Sequence, residues 1–223
     1  EVRGLKRLKK QMVSREASQH IYNSTAIGLA EQHCLKMAKG LPKSYQKLVT
    51  NWHAKLEANY TDNEILCLYE QQVLAPIDKL AVKTVTKNAS AAGVMIAVSP
   101  FAVLDMFIVL WRNIRMINQV SQIYGVNLGY WGRIQLIKNI FRTMIFAGAA
   151  EILSDAGNYA LGAGITGKLS TSVAQGLGAS VLTTRVGLKA IAESRPMPCL
   201  SVKKPSLNAI SKQLFDDLKN KIS

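Results

Sequence analysis

The sequence predicts an all-α fold, and three observations carry that expectation. Apolar residues recur at spacings of three and four along most of the 223 residues, while the period-two alternation of strands is nearly absent. Capping and stop signals fall between the periodic stretches. Hydrophobic residues make up 48% of the chain against 19% charged, which excludes wholesale disorder and leaves enough apolar material for a core. The expected architecture is a multi-helix domain of about six to eight helices. A buried apolar helical hairpin would lie at its centre, with amphipathic helices around it.

Taken in order, Gly4 to Lys39 reads as one long or broken amphipathic helix marked by Leu5, Leu8, Met12, Ile21, Leu29 and Met37. Gly40-Leu41-Pro42 stops it, because Gly accepts a helix C-terminus and Pro suits the next first turn. A second helix carries Tyr45, Leu48, Trp52 and Leu56 on one face. Thr61-Asp62-Asn63-Glu64 has the spacing of a capping box and starts a helix bearing Ile65, Leu66, Tyr69, Val73 and Leu74. Pro76 is expected to break or kink that helix, which resumes through Leu80 to about Asn88.

From Ala89 to Trp111 the only ionisable residue is Asp105. The run is long enough to cross a bilayer, but a central Asp costs about 2.5–3.5 kcal/mol on insertion, and Ser99-Pro100 interrupts the helix. Two buried segments meeting at Ser99-Pro100 are therefore expected, the second running to Tyr124 and ending at Gly125. Tyr130 to Ser154 is a further helix, Gly157 to Gly167 a glycine-rich turn, and Ser170 to Ser194 a helix of small residues. Ala174, Gly176, Gly178, Ala179 and Gly187 would let a neighbouring helix approach closely. Pro196, Pro198 and Pro205 make the next segment an extended linker, and Ser206 caps a last helix with Leu207, Ile210, Leu214 and Leu218.

Charge is the unusual feature: 28 Lys plus Arg against 14 Asp plus Glu, a formal +14. Such a field attracts anionic lipid, nucleic acid or an acidic protein. Arg3, Lys6, Arg7, Lys9 and Lys10 cluster at the start, where lying along an anionic membrane surface is the simplest use. No helix-turn-helix pattern or aromatic stacking motif supports nucleic acid as the partner. Cys34, Cys67 and Cys199 are odd in number and far apart, which suits free thiols in a reducing compartment.

No catalytic constellation, metal set or cofactor site emerges. Gly162 to Ser170 approaches a phosphate-binding loop, but Leu169 stands where magnesium needs a hydroxyl, and no strand precedes it. His20, His33 and His53 read as ordinary surface histidines. Asp105, isolated in its apolar run, should pair with Arg112, Arg115 or Arg185 as a structural buried charge, and Glu151 invites the same reading. The junction of Tyr124, Tyr130, Trp131 and Arg133 concentrates the residue types that dominate interfaces, and either seals the end of the core or serves as the partner-binding surface.

The run AVSPFAVLDMFIVLWRNIRMINQVSQIYGVNLGYWGRIQLIKNIF (Ala97 to Phe141) resembles the YcjF-type inner-membrane proteins of proteobacteria. The resemblance continues through FAGAAEILSDAG (Phe146 to Gly157), KLSTSVAQGLGASVLTTRVGLKAIAESRPMP (Lys168 to Pro198) and, upstream, LYEQQVLAPIDK (Leu68 to Lys79). It implies two membrane spans ahead of this chain, a cytoplasmic location for the chain itself, and a YcjX-type P-loop GTPase as companion in envelope-stress responses. It implies no catalytic residues. The expected organisation is a membrane-proximal helical region over 1–60, a helical family core over 61–195, and a proline-containing linker with a C-terminal helix over 196–223. The expected role is a non-enzymatic interaction module, with homo-oligomerisation possible in principle. The alternative is a membrane-inserting or remodelling protein that uses residues 89–111.

Overall fold

The computed structural model describes residues 2–24, 28–98, 102–126, 134–140, 142, 171–207 and 210, with side chains described from residue 9 onward except at 102–106 and 171–174. The fold is all-α, and no strand occurs among the described residues. The helices are α1 (Val2–Asn23), α2 (Ala30–Ala38), α3 (Gln46–His53), α4 (Asp62–Tyr69), α5 (Ala75–Val98), α6 (Ala102–Ile123) and α7 (Thr171–Ser194). Residues 134–140 are also helical. The chain divides into two compact units. One holds Glu1–Ala81, Gln119–Leu136 and Ile191–Lys204; the other holds Val82–Asn118, Ile137–Ala190 and Pro205–Ser223.

In the first unit α1, α2 and α4 pack on one another. The long first helix is broken, with Gly28 in the left-handed region at φ 94°. Leu29 cannot cap α2 with its side chain, so Asp62 does it from α4: its carboxylate accepts the N–H groups of Gly28 at 2.9 Å and Leu29 at 3.1 Å. Asp62 is thereby buried with its charge hydrogen-bonded. The Gly40-Leu41-Pro42 stop holds, followed by a short 3-10 turn at Lys43–Tyr45. Trp52 of α3 is fully buried edge-on to Tyr69, ring centroids 5.0 Å apart.

The capping box also holds: Thr61 accepts from the Glu64 N–H, and Glu64 accepts from the Thr61 N–H at 2.9 Å. Pro76, however, does not break the helix. Lacking an N–H, it cannot bond the carbonyl four residues back, and its ring crowds that carbonyl. The chain widens instead into a π turn over Glu70–Leu74, with the Ala75 N–H reaching Glu70, and continues into α5.

In the second unit α5 and α7 meet along small residues. A side chain at Gly187 would collide with Val85, and one at Gly176 would meet the Gly93 carbonyl at 2.6 Å. Ser180 donates to the Ala89 carbonyl at 3.0 Å across this seam. Gly178, by contrast, faces open space. Ala89 and Ile210 form a small core with Val82 and Leu188, so the residue expected on the last helix at 210 does pack inward.

Two expectations change. α5 ends at Val98 and α6 begins at Ala102, and the Ala89–Trp111 run is not buried as a block. Ala89 and Ala92 are buried, whereas Val98 is 72% and Trp111 68% exposed. A run that is apolar all round does not reveal which face is covered. The proline segment starts packed against the fold rather than free of it: Arg195, Pro196 and Met197 are buried. Among the described residues no helix is long and apolar enough to cross a membrane.

Candidate functional site

The start of the proline segment is held by a charge cluster. Arg195 follows α7 and is 3% exposed; its guanidinium donates to Glu70 at 2.9 Å and to Asp78 at 3.1 Å. The same group donates to the carbonyls of Met197 and Pro198. Glu70, at the start of the π turn, is fully buried and accepts the N–H groups of Leu200, Ser201 and Val202 and the Ser201 hydroxyl. Tyr124 donates its hydroxyl to Asp78 at 2.6 Å.

Burial alone would push the Glu70 carboxyl up, but the Ser201 hydrogen bonds and the Arg195 charge outweigh it and hold the group below its ordinary value. At Asp78 burial wins over Arg195 and Tyr124, and the pKa rises. Burial lowers and the flanking carboxylates raise the Arg195 pKa, with a net rise that keeps it charged. Each charged group is met by internal partners. The cluster is a clasp that fastens 195–202 to the α4–π–α5 segment, and its acids are engaged in that fastening rather than directed at a substrate.

The exposed feature lies on α6. Phe107, Ile108, Trp111 and Arg115 share one side of the helix at about 100° per residue, and all four are exposed. Phe107 is 63% and Trp111 68% exposed. Val109, Asn113 and Met116 occupy the opposite, buried face. A helix with one covered face and a second apolar face open to its surroundings has surface available for another apolar body.

The residues singled out from sequence divide as follows. Tyr124 is buried and tied inward to Asp78, as an aromatic sealing the end of the core would be; Tyr130, Trp131 and Arg133 lie outside the described residues. Arg112 and Arg185 are half-buried on α6 and α7. The Asp105 side chain and Glu151 lie outside the described set, as do the phosphate-loop-like segment at 162–168 and the side chains of Arg3, Lys6 and Arg7. Lys9 and Lys10 are exposed. His33 is not a plain surface residue: its ring is 2.8 Å from the Ser18 hydroxyl, and burial lowers its pKa. His53 pairs with Glu31 at 3.0 Å on the surface. Cys34 is buried, and burial pushes its thiol pKa up.

The described fold is thus all-α, with an internal charge clasp in one unit and an open apolar face on α6 in the other. The chain belongs to the family described as domain of unknown function DUF697, which matches residues 60–220 and so takes in the clasp and α6. It is similar to a UPF0283 membrane protein of Photobacterium profundum, 42% identical over 97% of the chain, and to one of Pasteurella multocida, 40% identical over 97%. A UPF0283 protein of Yersinia enterocolitica called YcjF is 37% identical over 99% of the chain, in line with the YcjF-type resemblance. The chain spans 62–64% of the length of these relatives. No solved structure matches it.

Proposed function

We propose that this chain is the interaction module of a membrane-associated protein and binds a protein partner through the open face of α6. Such an arrangement suits an inner-membrane protein whose helical part faces the cytoplasm, with a YcjX-type GTPase as the partner in envelope-stress response. One observation carries the reading: Phe107, Ile108 and Trp111 are exposed together, opposite the face on which Val109 and Met116 are buried. Aromatic residues beside an arginine, here Arg115, are the side chains that anchor protein interfaces. The membrane-protein names of the relatives support the membrane association.

The test uses the full-length protein in lipid nanodiscs and measures GTPase binding in each nucleotide state. Replacing Phe107 and Trp111 together by Ser should weaken binding by about tenfold or more, the loss expected of two anchor residues. Absence of binding in every nucleotide state, or binding that the double substitution leaves unchanged, overturns the proposal.

A second reading draws on the same face. Trp111 with Arg115 alongside, and Val98 exposed at the end of α5, also suit shallow insertion among lipid headgroups. In that case the chain floats with anionic vesicles in the absence of any protein, and the double Ser substitution abolishes flotation.

A further inference from the structure

In the first unit, α1 and the end of α2 line a half-open cavity of about 300 Å³ with Tyr124, Gly125 and Pro196. Three lysines line it, Lys10 from α1, Lys36 from α2 and Lys39 just after α2, and among the described residues no carboxylate does. Lys10 and Ser14 are one turn apart on α1, and Lys36 and the helical C-cap Lys39 are nearly one turn apart at the end of α2, so each pair is directed to one side. Among the described residues these lysines have no ion-pair partner. Gln11 and Ser14, also in the lining, have buried side-chain oxygens without hydrogen-bond partners among the described residues.

The backbone around the cavity has little left to donate. The N–H groups of Gly40, Leu41, Gly125 and Val126 already go to carbonyls of Met37, Ala38, Gln122 and Ser121. Recognition there falls to side chains, and those are cationic. The wall is also held in place. Gly125 sits at φ 74°, where a side chain would run into the Gly40 carbonyl, while Tyr124 is fixed by Asp78 and Pro196 by its neighbour Arg195. Three exposed lysines lining one concavity, with a hydroxyl in its wall, suit a compact anion that accepts several charge-assisted hydrogen bonds.

We infer that this cavity binds a phosphate group, as the free ion or as the headgroup of an anionic lipid, held by Lys10, Lys36 and Lys39. The inference is independent of the α6 face and stands or falls separately from the proposed function.

The experiment titrates the 223-residue chain with inorganic phosphate and follows the His33 ring by NMR. Lys36 lies close enough for its positive charge to lower the His33 pKa, so an anion at the lysines should raise it. Saturable phosphate binding with an upward His33 shift is expected. Both should weaken by about tenfold or more in Lys36→Gln/Lys39→Gln, since two of three charge-assisted contacts are removed. Ser14→Ala, which leaves the net charge unchanged, should also weaken binding. Thermal melting of each variant checks that the fold is retained. A second arm adds phosphatidylglycerol vesicles. Vesicle binding that inorganic phosphate competes away, and that the lysine variant loses, identifies the lipid headgroup as the source; phosphate binding without it identifies the free ion. Non-saturable phosphate binding, or equal binding by wild type and by folded lysine variants, overturns the inference.

Discussion

The two units hold their helices together by opposite means. Around Arg195 the contacts are directional and charged: two carboxylates, a guanidinium, a phenol and a row of backbone N–H groups satisfy one another out of water. Along the α5–α7 seam there is almost no charge, and the helices come close because Gly176 and Gly187 have no side chains to keep them apart. The clasp depends on every partner being present, since an unpaired buried charge costs more than the pair contributes. The seam depends on nothing being added. The first should therefore be sensitive to loss of a group and the second to gain of volume.

The largest effect is expected at the clasp. Arg195→Met leaves Glu70 and Asp78 buried without their cation and should destabilise the first unit by about 3–5 kcal/mol. Denaturant unfolding measures this, and a loss below about 1 kcal/mol would show that the cluster is solvated and the contrast with the seam wrong. Next comes Gly187→Leu, which forces a side chain into Val85 and should cost about 1–3 kcal/mol. Adding Val85→Ala should recover part of that loss, whereas no recovery would mean the seam is not set by this contact.

The smallest effect sharpens the first half of the comparison. Burial lowers the His33 pKa, so the unfolded chain binds the proton more readily than the folded one. Stability should therefore fall as pH drops below the ordinary histidine value of 6.5, and His33→Gln should flatten that slope. Parallel pH profiles for wild type and variant would remove His33 from the account.

Local features were legible in the sequence because their partners lie close along it. The Thr61–Glu64 capping box and the Gly40-Leu41-Pro42 stop each depend on a few neighbouring residues. The small residues of α7 also announced a close approach, which, among its glycines, Gly176 and Gly187 use and Gly178 does not. The clasp was not legible: Glu70 and Arg195 are 125 positions apart, and three prolines made the segment after Arg195 look like a linker. One signal was available, since Glu70 lies three or four residues from Leu66, Val73 and Leu74, on the face of the helix that carries core residues. The α6 face was hidden for the reverse reason. With Asp105 its only charge, the 89–111 run offered no polar side to mark what stays uncovered.

The open α6 face is tested most directly by the fluorescence of Trp111 as the sole tryptophan, with Trp52 and Trp131 replaced by Phe, in the full-length protein in nanodiscs. Exposed as it is, Trp111 should emit as a water-facing indole and shift to the blue when the GTPase is added. An emission that stays at the water-facing position in every nucleotide state, or that is already blue before any protein is added, contradicts a protein partner at this face.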